Sequence, residues 1–482
     1  MSQSPAIVWF RRDLRIADNP ALCAGLATGG PVIGLYVLED AAFLAPGGAQ
    51  RWFLHHALAD LTKNLSALGI PLILRRGNAG ETVLRVVNDT KAGGVFWNRR
   101  YAAAEIEEDR RVKAALGDAG VKADSSNGSL LREPWEVKTK TGGPYRVYTP
   151  FWNAVRGLGP ARMVIESPRK KSPGAVPANS VSIEELDLLP TRPNWAGEFG
   201  DVWTPGEKGA QAALDAFLSG PAMTYGEDRN RPDLTGTSRL SPHLAVGTIS
   251  PNQIWNAATA AIHARRIPEA EGWKFLSEIV WREFAYHLLY FNPAMATAPL
   301  RAEFGAFPWR DDAAALTAWK RGQTGIPIVD AGMRELWRTG WMHNRVRMIA
   351  ASFLIKNLII HWREGERWFW DTLVDADPGN NAASWQWVAG SGADAAPYFR
   401  IFNPVTQGEK FDPDGSYVRR FVPELAGLPA ETIHQPWTAS EKALKRAGIV
   451  LGKTYPEPIA DLAETRKRAL AAYDQMRGRA AD

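Results

Sequence analysis

The spacing of apolar residues changes once along the chain, and this change restricts the fold to two kinds of domain. Between residues 7 and 123, short apolar runs of strand length alternate with segments of helical period. Such alternation predicts an α/β fold, a doubly wound, Rossmann-like parallel sheet with helices on both faces. From residue 206 onward nearly every segment has helical period, so the second part is predicted to be all-α.

The expected boundaries follow from these runs. Five strands are predicted, at Ile7–Phe10, Val32–Leu38, Leu72–Leu74, Val95–Trp97 and Val121–Ala123. Helices are predicted at Pro20–Ala27, Gln50–Leu68, Glu81–Ala92, Glu105–Ala119, Gly209–Leu218, Ile249–Ala264, Trp273–Phe291, Ala313–Lys320, Ile328–Thr339 and Arg345–His361. Pro, Gly, Lys and Ser accumulate between Glu133 and Pro205, where the periodicity fades. We therefore interpret 1–132 as the first domain, 133–205 as a long irregular linker and 206–482 as the helical domain.

Composition excludes several classes of protein. The 482 residues are enough for two substantial cores. The single cysteine, Cys23, excludes an internal disulfide framework and any site built from several cysteines. No apolar run has the length of a membrane span, and Arg11 follows the first run too early for a signal peptide. A formal net charge of +5 permits a polyanionic partner.

The segment from Asp375 to Trp387 combines residue types that a core usually separates. It crowds carboxylates and amides beside two tryptophans, inside a region whose other apolar positions recur at helical spacing. Buried polar groups cost free energy unless a partner satisfies them. A polar-edged aromatic ligand in a helical pocket would be such a partner.

Two other stretches have both a structural and a functional interpretation. Thr235 to Ser250 places hydroxyls and an arginine in a turn before a helix, which suits either helix capping or phosphate binding. In SEIVWREF, Glu278, Trp281 and Arg282 lie at helical spacing on one face. Either the charged side chains on that face form an internal salt bridge, or the face lines a substrate pocket.

The 20 tryptophans and the arginines among them allow two interpretations. Arginines interleaved with aromatic rings suit a basic groove that stacks nucleic-acid bases, or cation–π packing between helices. The eight histidines are scattered and predict no metal site. Neither a G-x-G-x-x-G dinucleotide motif nor a G-x-S-x-G hydrolase motif is present.

Several long motifs taken together resemble the photolyase/cryptochrome family from end to end. In chain order they read VWFRRDLRIADNPAL, TGTSRLSPHL, SEIVWREF, TGIPIVDAGMREL, GWMHNRVRMIAASFL, HWREGERWF, DADPGNN, WQWVAG and YFRIFNPVTQGEKFD. Within the family the chain is most similar to a bacterial class I, or closely related, cyclobutane pyrimidine dimer photolyase. This resemblance implies an N-terminal antenna-binding α/β domain and a C-terminal helical FAD domain.

The resemblance implies a U-shaped FAD, active as FADH⁻, that transfers an electron to the lesion when it is excited by light. The positions that match the flavin-binding residues are Tyr225, Thr237, Ser238, Arg239, Leu240, Ser241, Asn344, Arg347, Asp375, Asp377 and Asn381. Asn381 matches the residue that faces flavin N5. An Asp is typical of plant cryptochromes at this position, so Asn favours repair.

The resemblance also implies a pocket for a flipped-out dimer. Its matching positions are Glu278, Trp281, Asn344, Met348 and Trp387, with Glu278 on the pyrimidine edge and the two tryptophans stacked on the bases. The positions that match DNA-contacting residues are Arg229, Trp281, Arg282, Arg345 and Arg400. Trp385, Trp362 and Trp309 match an electron-transfer path from the flavin to the surface.

A second chromophore is expected in the α/β domain. The segment WNRRYAAAEIEEDRR matches the antenna region, with Glu105 at a folate-contacting position and Ala104 where Asn is common. We expect 5,10-methenyltetrahydrofolate, with a deazaflavin as the other possibility. The expected activity is that of a deoxyribodipyrimidine photo-lyase, a monomer that binds UV-damaged DNA in the bacterial cytoplasm. The alternative is a cryptochrome-type blue-light receptor without repair activity.

Overall fold

A computed structural model describes residues 4–39, 45–169, 172, 179–394 and 399–479. The chain forms two compact units, one of residues 1–223, 238–293 and 374–379 and one of residues 224–237, 294–373 and 380–482. In the described ranges, no helix is long and apolar enough to cross a membrane, and no group of acidic, histidine and cysteine side chains could hold a metal ion.

The first unit contains a five-stranded parallel sheet. Its strands are β1 (Ala6–Phe10), β2 (Val32–Leu38), β3 (Leu72–Arg76), β4 (Gly94–Asn98) and β5 (Lys122–Ser126). The strand order is β3-β2-β1-β4-β5, and every neighbouring pair is parallel. Every residue of β1, β2 and β4 is buried, as expected for strands covered on both faces. The chain therefore reverses its winding direction between β1 and β4, where such sheets bind ligands.

The helices of the chain follow in order. They are α1 (Pro20–Ala27), α2 (Gly48–Ala67), α3 (Ala79–Thr90), α4 (Ala103–Asp118), α5 (Tyr148–Leu158), α6 (Phe199–Val202), α7 (Glu207–Ser219), α8 (Tyr225–Asp228), α9 (Ser241–Val246), α10 (Pro251–His263), α11 (Glu269–Phe291), α12 (Ala313–Arg321), α13 (Pro327–Thr339), α14 (Asn344–Ser352), α15 (Trp362–Thr372), α16 (Pro378–Ala389), α17 (Pro404–Phe411), α18 (Ser416–Phe421), α19 (Ala430–Ile433), α20 (Glu441–Arg446) and α21 (Leu462–Arg479).

Local sequence explains where the first helix begins. The Asn19 side chain accepts a hydrogen bond from the Leu22 amide at 3.1 Å, and Pro20 occupies the first turn, where its missing N–H costs nothing. The amide nitrogen of Asn19 also donates to the Arg15 carbonyl at 3.0 Å. Asn19 thus fixes the loop that leaves β1 as well as the helix that follows it.

Two sequence expectations need correction. The linker is not irregular throughout, because α5 lies within it; part of it, residues 170–171 and 173–178, is outside the described residues. The single helix expected at Arg345–His361 ends at Ser352 and continues as a π-turn, Phe353–Asn357. The Lys356 side chain of that turn is 1% exposed and donates to the Ala389 carbonyl at 3.0 Å, an arrangement that apolar periodicity does not predict.

Candidate functional site

The outer face of α11, in the first unit, presents two predicted lesion residues. Glu278 and Trp281 are both half-buried and lie one turn apart. The nearer Glu278 oxygen is 3.8 Å from the Lys274 ammonium, which is a long and half-exposed ion pair. Trp281 stacks flat on Tyr148 of α5, with ring centroids 3.6 Å apart and planes 8° from parallel. This face therefore offers a carboxyl group beside an indole of fixed orientation.

Arg282 does not share that face. It is 8% exposed and donates to the Ser129 carbonyl at 2.8 Å, and its guanidinium lies over the Tyr286 ring. The Arg282 guanidinium makes these contacts inside the first unit, and its contact with a DNA phosphate stays a prediction. The carboxylate that lies near it is Glu283, at 3.5 Å, and not Glu278.

The predicted phosphate-binding turn of the first unit has an unusual backbone. Arg239 has a φ of 51°, in the left-handed region that is costly for a residue with a side chain. Its guanidinium lies over the Trp203 ring, and Leu240 is buried. Ser241 is exposed and begins α9. The turn thus presents a hydroxyl and backbone amides at a helix start.

Asp375 and Asp377 lie in a short segment that the first unit holds firmly. The Tyr286 hydroxyl donates to Asp377 at 2.6 Å, and the Gln50 amide donates to the Ala376 carbonyl between the two acids at 2.6 Å. Burial, and secondly the Asp377 carboxylate, raises the pKa of Tyr286 well above its ordinary value. Both carboxylates are less than a tenth exposed, and the Tyr286 hydroxyl anchors that of Asp377.

The first turn of α14 gathers four predicted residues of the second unit. Asn344 is exposed, and Arg345, Arg347 and Met348 are half-buried. Arg345 donates to Asn230 Oδ1 at 2.5 Å, beside the predicted DNA-contacting residue Arg229 in sequence. Arg347 donates to the Met342 carbonyl at 2.7 Å.

A buried carboxylate supports this turn. Glu335 accepts hydrogen bonds from the His343 amide at 3.2 Å and from the Tyr417 hydroxyl at 2.7 Å. His343 caps α14 by accepting from the Arg345 amide through Nδ1. Sequence reasoning missed Glu335 because its partner Tyr417 is 82 residues away, and its bond to the His343 amide leaves no local pattern. Tyr225, also in the second unit, is buried beneath the Arg229 guanidinium at 5.5 Å.

Asn381 is oriented by a buried polar chain in the second unit. Its amide nitrogen donates to the Glu366 side chain at 2.9 Å and to the Glu366 carbonyl at 3.1 Å. Arg363 donates to the other Glu366 carboxylate oxygen at 2.9 Å. Burial raises the pKa of Glu366, and Arg363 opposes this shift. Because the Asn381 nitrogen is engaged, its Oδ1 is the atom available to accept a hydrogen bond, as the N5–H of a reduced flavin requires.

The three tryptophans of the expected electron path are two buried residues and one that is more exposed. Trp385 and Trp362 are each 2% exposed, whereas Trp309 is half-buried. His361 lies between the outer two, with ring centroids 4.9 Å from Trp309 and 5.9 Å from Trp362. Trp385 packs edge-on against Phe369 at 4.9 Å. Of the three, Trp309 is therefore the residue nearest to solvent.

Gly365 makes room for Trp385. A Cβ at this position would lie 2.1 Å from the Trp385 ring and 2.7 Å from Leu354. We therefore expect Gly365→Ala to lower the free energy of unfolding by about 2 kcal/mol through overpacking and to reduce the flavin content. Thermal unfolding and the ratio of flavin to protein absorbance measure both effects. Gly117→Ala in α4, where no atom lies within 4 Å, is the control; equal behaviour of the two variants would contradict the prediction.

Trp387 and Arg400 remain accessible in the second unit. Trp387 is half-buried, and its indole N–H donates to the Asp394 carbonyl at 3.1 Å. Arg400 is exposed with its guanidinium over Phe402. Lys356, whose pKa burial lowers well below its ordinary value, fixes the end of the helix that carries Trp387 through the Ala389 carbonyl.

A cavity of about 980 Å³ opens in the first unit, at the carboxyl ends of the strands. Its walls include Trp9, Tyr36 and several arginines, together with the carboxyl groups of Glu39 and Glu108. Glu105 also lines it, and its carboxylate is 2.9 Å from the Arg12 guanidinium. The sequence identified the Glu105 region but not the cavity.

The structure thus places an orienting amide, anchored carboxylates and a hydroxyl-bearing helix start at positions predicted to bind FAD, and their chemistry fits that group. Residues 275–475 match the family model described as the FAD binding domain of DNA photolyase, and residues 6–169 match DNA photolyase. A deoxyribodipyrimidine photo-lyase of Agrobacterium fabrum is 52% identical over 98% of both chains. The chain belongs to the DNA photolyase family. It therefore carries an FAD-binding domain, and the expected fold class is confirmed.

Two further relatives refine the family assignment. The crystal structure of a bacterial class III photolyase from Agrobacterium tumefaciens has a TM-score of 0.96 and 52% identity, and the match covers 99% of this chain and 98% of that one. The expectation of class I is therefore not confirmed. Cryptochrome-1 of Arabidopsis thaliana is 38% identical over 98% of this chain and 70% of its own length.

Proposed function

We propose that this photolyase-family chain is a light-driven DNA repair enzyme that splits cyclobutane pyrimidine dimers. The observation that carries the proposal is the face of α11, where a half-buried carboxyl group lies one turn from an indole held flat by Tyr148. An indole plane stacks on a base, and a carboxyl group hydrogen-bonds the polar edge of a pyrimidine. Flavin absorbance of the purified protein and light-dependent dimer loss test the proposal.

The chain's own residues bind and orient the damaged strand. Glu278, Trp281, Asn344, Met348 and Trp387 are proposed to receive the flipped dimer. Arg229, Arg345 and Arg400 are proposed to contact phosphates, which positions DNA without reading its sequence. Flipping costs least for a base that is already poorly stacked, so lesion distortion contributes to selectivity.

The flavin, when bound, supplies the photoexcited electron. Tyr225, Thr237, Ser238, Arg239, Leu240, Ser241, Asn344, Arg347, Asp375, Asp377 and Asn381 are the residues proposed to hold it. Trp385, Trp362 and Trp309 are proposed to carry electrons inward from solvent. We further propose that the protein acts as a monomer in the bacterial cytoplasm.

An antenna chromophore is the second part of the proposal, and we propose 5,10-methenyltetrahydrofolate in the cavity of the first unit. The volume of about 980 Å³ is at the upper end of ligand pockets. The Glu39–Glu108 pair suits the neighbouring N–H donors on the edge of a pterin, whereas the acceptor-flanked edge of a deazaflavin does not match it. Arg76 and Arg111 suit the folate carboxylates.

Filling the cavity tests its role. Ala115→Trp is expected to remove folate absorbance while flavin absorbance remains, because Ala115 lines the cavity. Ala119→Trp, just beyond α4, is the control and should keep the folate. Retention of folate by Ala115→Trp would place the antenna elsewhere in the chain, and a deazaflavin spectrum in the wild type would contradict the pterin assignment.

The same acid pair makes stability depend on pH. Burial, and secondly the charge of Glu108, raises the pKa of Glu39 from 4.5 to about 7. Between these values the folded chain keeps a proton that the unfolded chain has lost, so the free energy of unfolding falls as pH rises. We expect wild type to lose about 1 kcal/mol relative to Glu39→Gln between about pH 5 and about pH 8, allowing for solvent screening. Chemical denaturation of both proteins at the two pH values measures this change. Glu81→Gln, on the exposed rim of the cavity, is the control. A wild type that becomes more stable relative to Glu39→Gln as pH rises would contradict the prediction.

A cryptochrome-type light receptor is the second candidate, because the identity to Cryptochrome-1 extends over 98% of this chain. That function needs flavin photoreduction but no lesion pocket. A flavin-loaded, reduced protein that absorbs light and repairs nothing would favour it.

A further inference from the structure

Trp281 has one face that is already occupied. The Tyr148 ring covers it at a centroid distance of 3.6 Å and an interplanar angle of 8°, while Phe284 contacts the indole edge-on at 5.9 Å. Tyr148 is 8% exposed, whereas Trp281 is half-buried. A base can therefore stack only on the other face of the indole.

Tyr148 is anchored on the same helix as Trp281. Its hydroxyl donates to the carbonyl of Ser277, one turn before Trp281 and directly before Glu278. Tyr148 also starts α5, whose Phe151 packs against Phe284 of α11 at 5.2 Å. The ring is thus fixed at its hydroxyl end and at its backbone, and it cannot follow a rotation of Trp281.

The Tyr148 ring behind Trp281 is expected to affect the affinity for a stacked base. A half-exposed indole without it would sample several rotamers, and fixing one of them on binding would weaken affinity. Stacking on a rigid neighbour restricts the indole before the ligand arrives. The carboxyl group of Glu278 and the open face of Trp281 then keep a constant relation.

We propose that Tyr148 is a positioning residue of the lesion site, which fixes the plane of Trp281 so that a flipped pyrimidine stacks on its one open face. This inference rests on the proposed repair function and adds a residue from the linker segment to it. Tyr148 touches neither substrate nor flavin in this role and acts through Trp281. It should therefore affect KM more strongly than kcat.

The test compares three variants in the full-length, flavin-loaded protein. Tyr148→Leu should raise the Kd for dimer-containing DNA roughly tenfold, with a smaller change for undamaged DNA. Tyr148→Phe keeps the ring and should recover most of the affinity. Val155→Ala, a change at a buried position later in the same helix, is the control for general disturbance of α5. Tyr148→Met, whose flexible side chain fills irregular space more readily, provides the same readings if the Leu variant does not fold.

The outcomes separate this inference from the proposed function. Wild-type lesion preference together with unchanged Kd in Tyr148→Leu would overturn the role of Tyr148 and leave the repair function intact. Equal weakening by Tyr148→Leu and Val155→Ala, or equal weakening for damaged and undamaged DNA, would also overturn it. A wild type without lesion preference or light-dependent repair would overturn both.

Discussion

Trp385→Phe is expected to abolish light-driven reduction of the bound flavin, while repair by chemically reduced protein persists. Trp385 is buried in the second unit and is the proposed first donor of the path. Phe keeps most of the ring that packs against Phe369, but it is far harder to oxidise than an indole. The loss is therefore electronic rather than structural. Illumination of the oxidised protein with an external reductant, followed by flavin absorbance, measures the effect.

The matched control for this change is Trp255→Phe. Trp255 is 6% exposed and lies in α10 of the first unit, so it is similarly buried but is not part of the proposed path. It should photoreduce like the wild type. Normal photoreduction by Trp385→Phe would contradict the path, and loss of flavin from Trp385→Phe would assign that side chain to cofactor binding.

Glu278→Ala is expected to lower repair strongly while flavin content stays normal. The carboxyl group is proposed to hydrogen-bond the polar edge of the flipped dimer, and the loss of this bond is expected to raise KM roughly tenfold. Repair at saturating DNA should fall as well, because a carboxyl O–H donated to a pyrimidine carbonyl stabilises negative charge that develops on that oxygen. Steady-state repair at several DNA concentrations separates the two effects.

Lys274 provides the control for Glu278. Its ammonium is 3.8 Å from the carboxylate and is half-exposed, so the pair contributes little on its own. Lys274→Met should leave repair near the wild-type level, and Glu278→Gln should retain part of it. Release of flavin by Glu278→Ala would contradict the assignment of Glu278 to the lesion.

The sheet could be predicted from sequence because burial and sequence pattern coincide there. β2 matches its predicted bounds because all of its residues are apolar or glycine and are buried. The prediction for β5 is shifted, since Lys122–Ser126 has no apolar run and forms a strand through its pairing with β4. Pairing partners that are distant along the chain leave no local signal.

The helical errors have similar causes. Buried Lys356 holds the π-turn after α14, and a lysine in an apolar run is not read as a core residue. α5 was missed because Pro150 and Gly157 are typical of loops, although Pro is tolerated in the first turn of a helix. Tyr148, which begins α5, was therefore overlooked with it.

In the candidate site, too, the sequence predicts some residues and not others. Glu278, Trp281 and Asn381 were predicted through motifs that stand in the sequence. Their supports, Tyr148 and Glu366, contact them across the fold and could not be predicted from spacing. Helical spacing also placed Arg282 on the face of Glu278, whereas the structure buries its guanidinium against Ser129 and Tyr286, contacts that spacing along one helix does not reveal.

Light-dependent repair is the measurement that tests the central claim most directly. Flavin-loaded, chemically reduced protein is mixed with DNA that contains cyclobutane pyrimidine dimers, and intact pyrimidines are counted after blue or near-UV illumination and in a dark control. We expect recovery of pyrimidines in the light and none in the dark. Absence of recovery in the light, from protein that carries reduced flavin, would contradict the account.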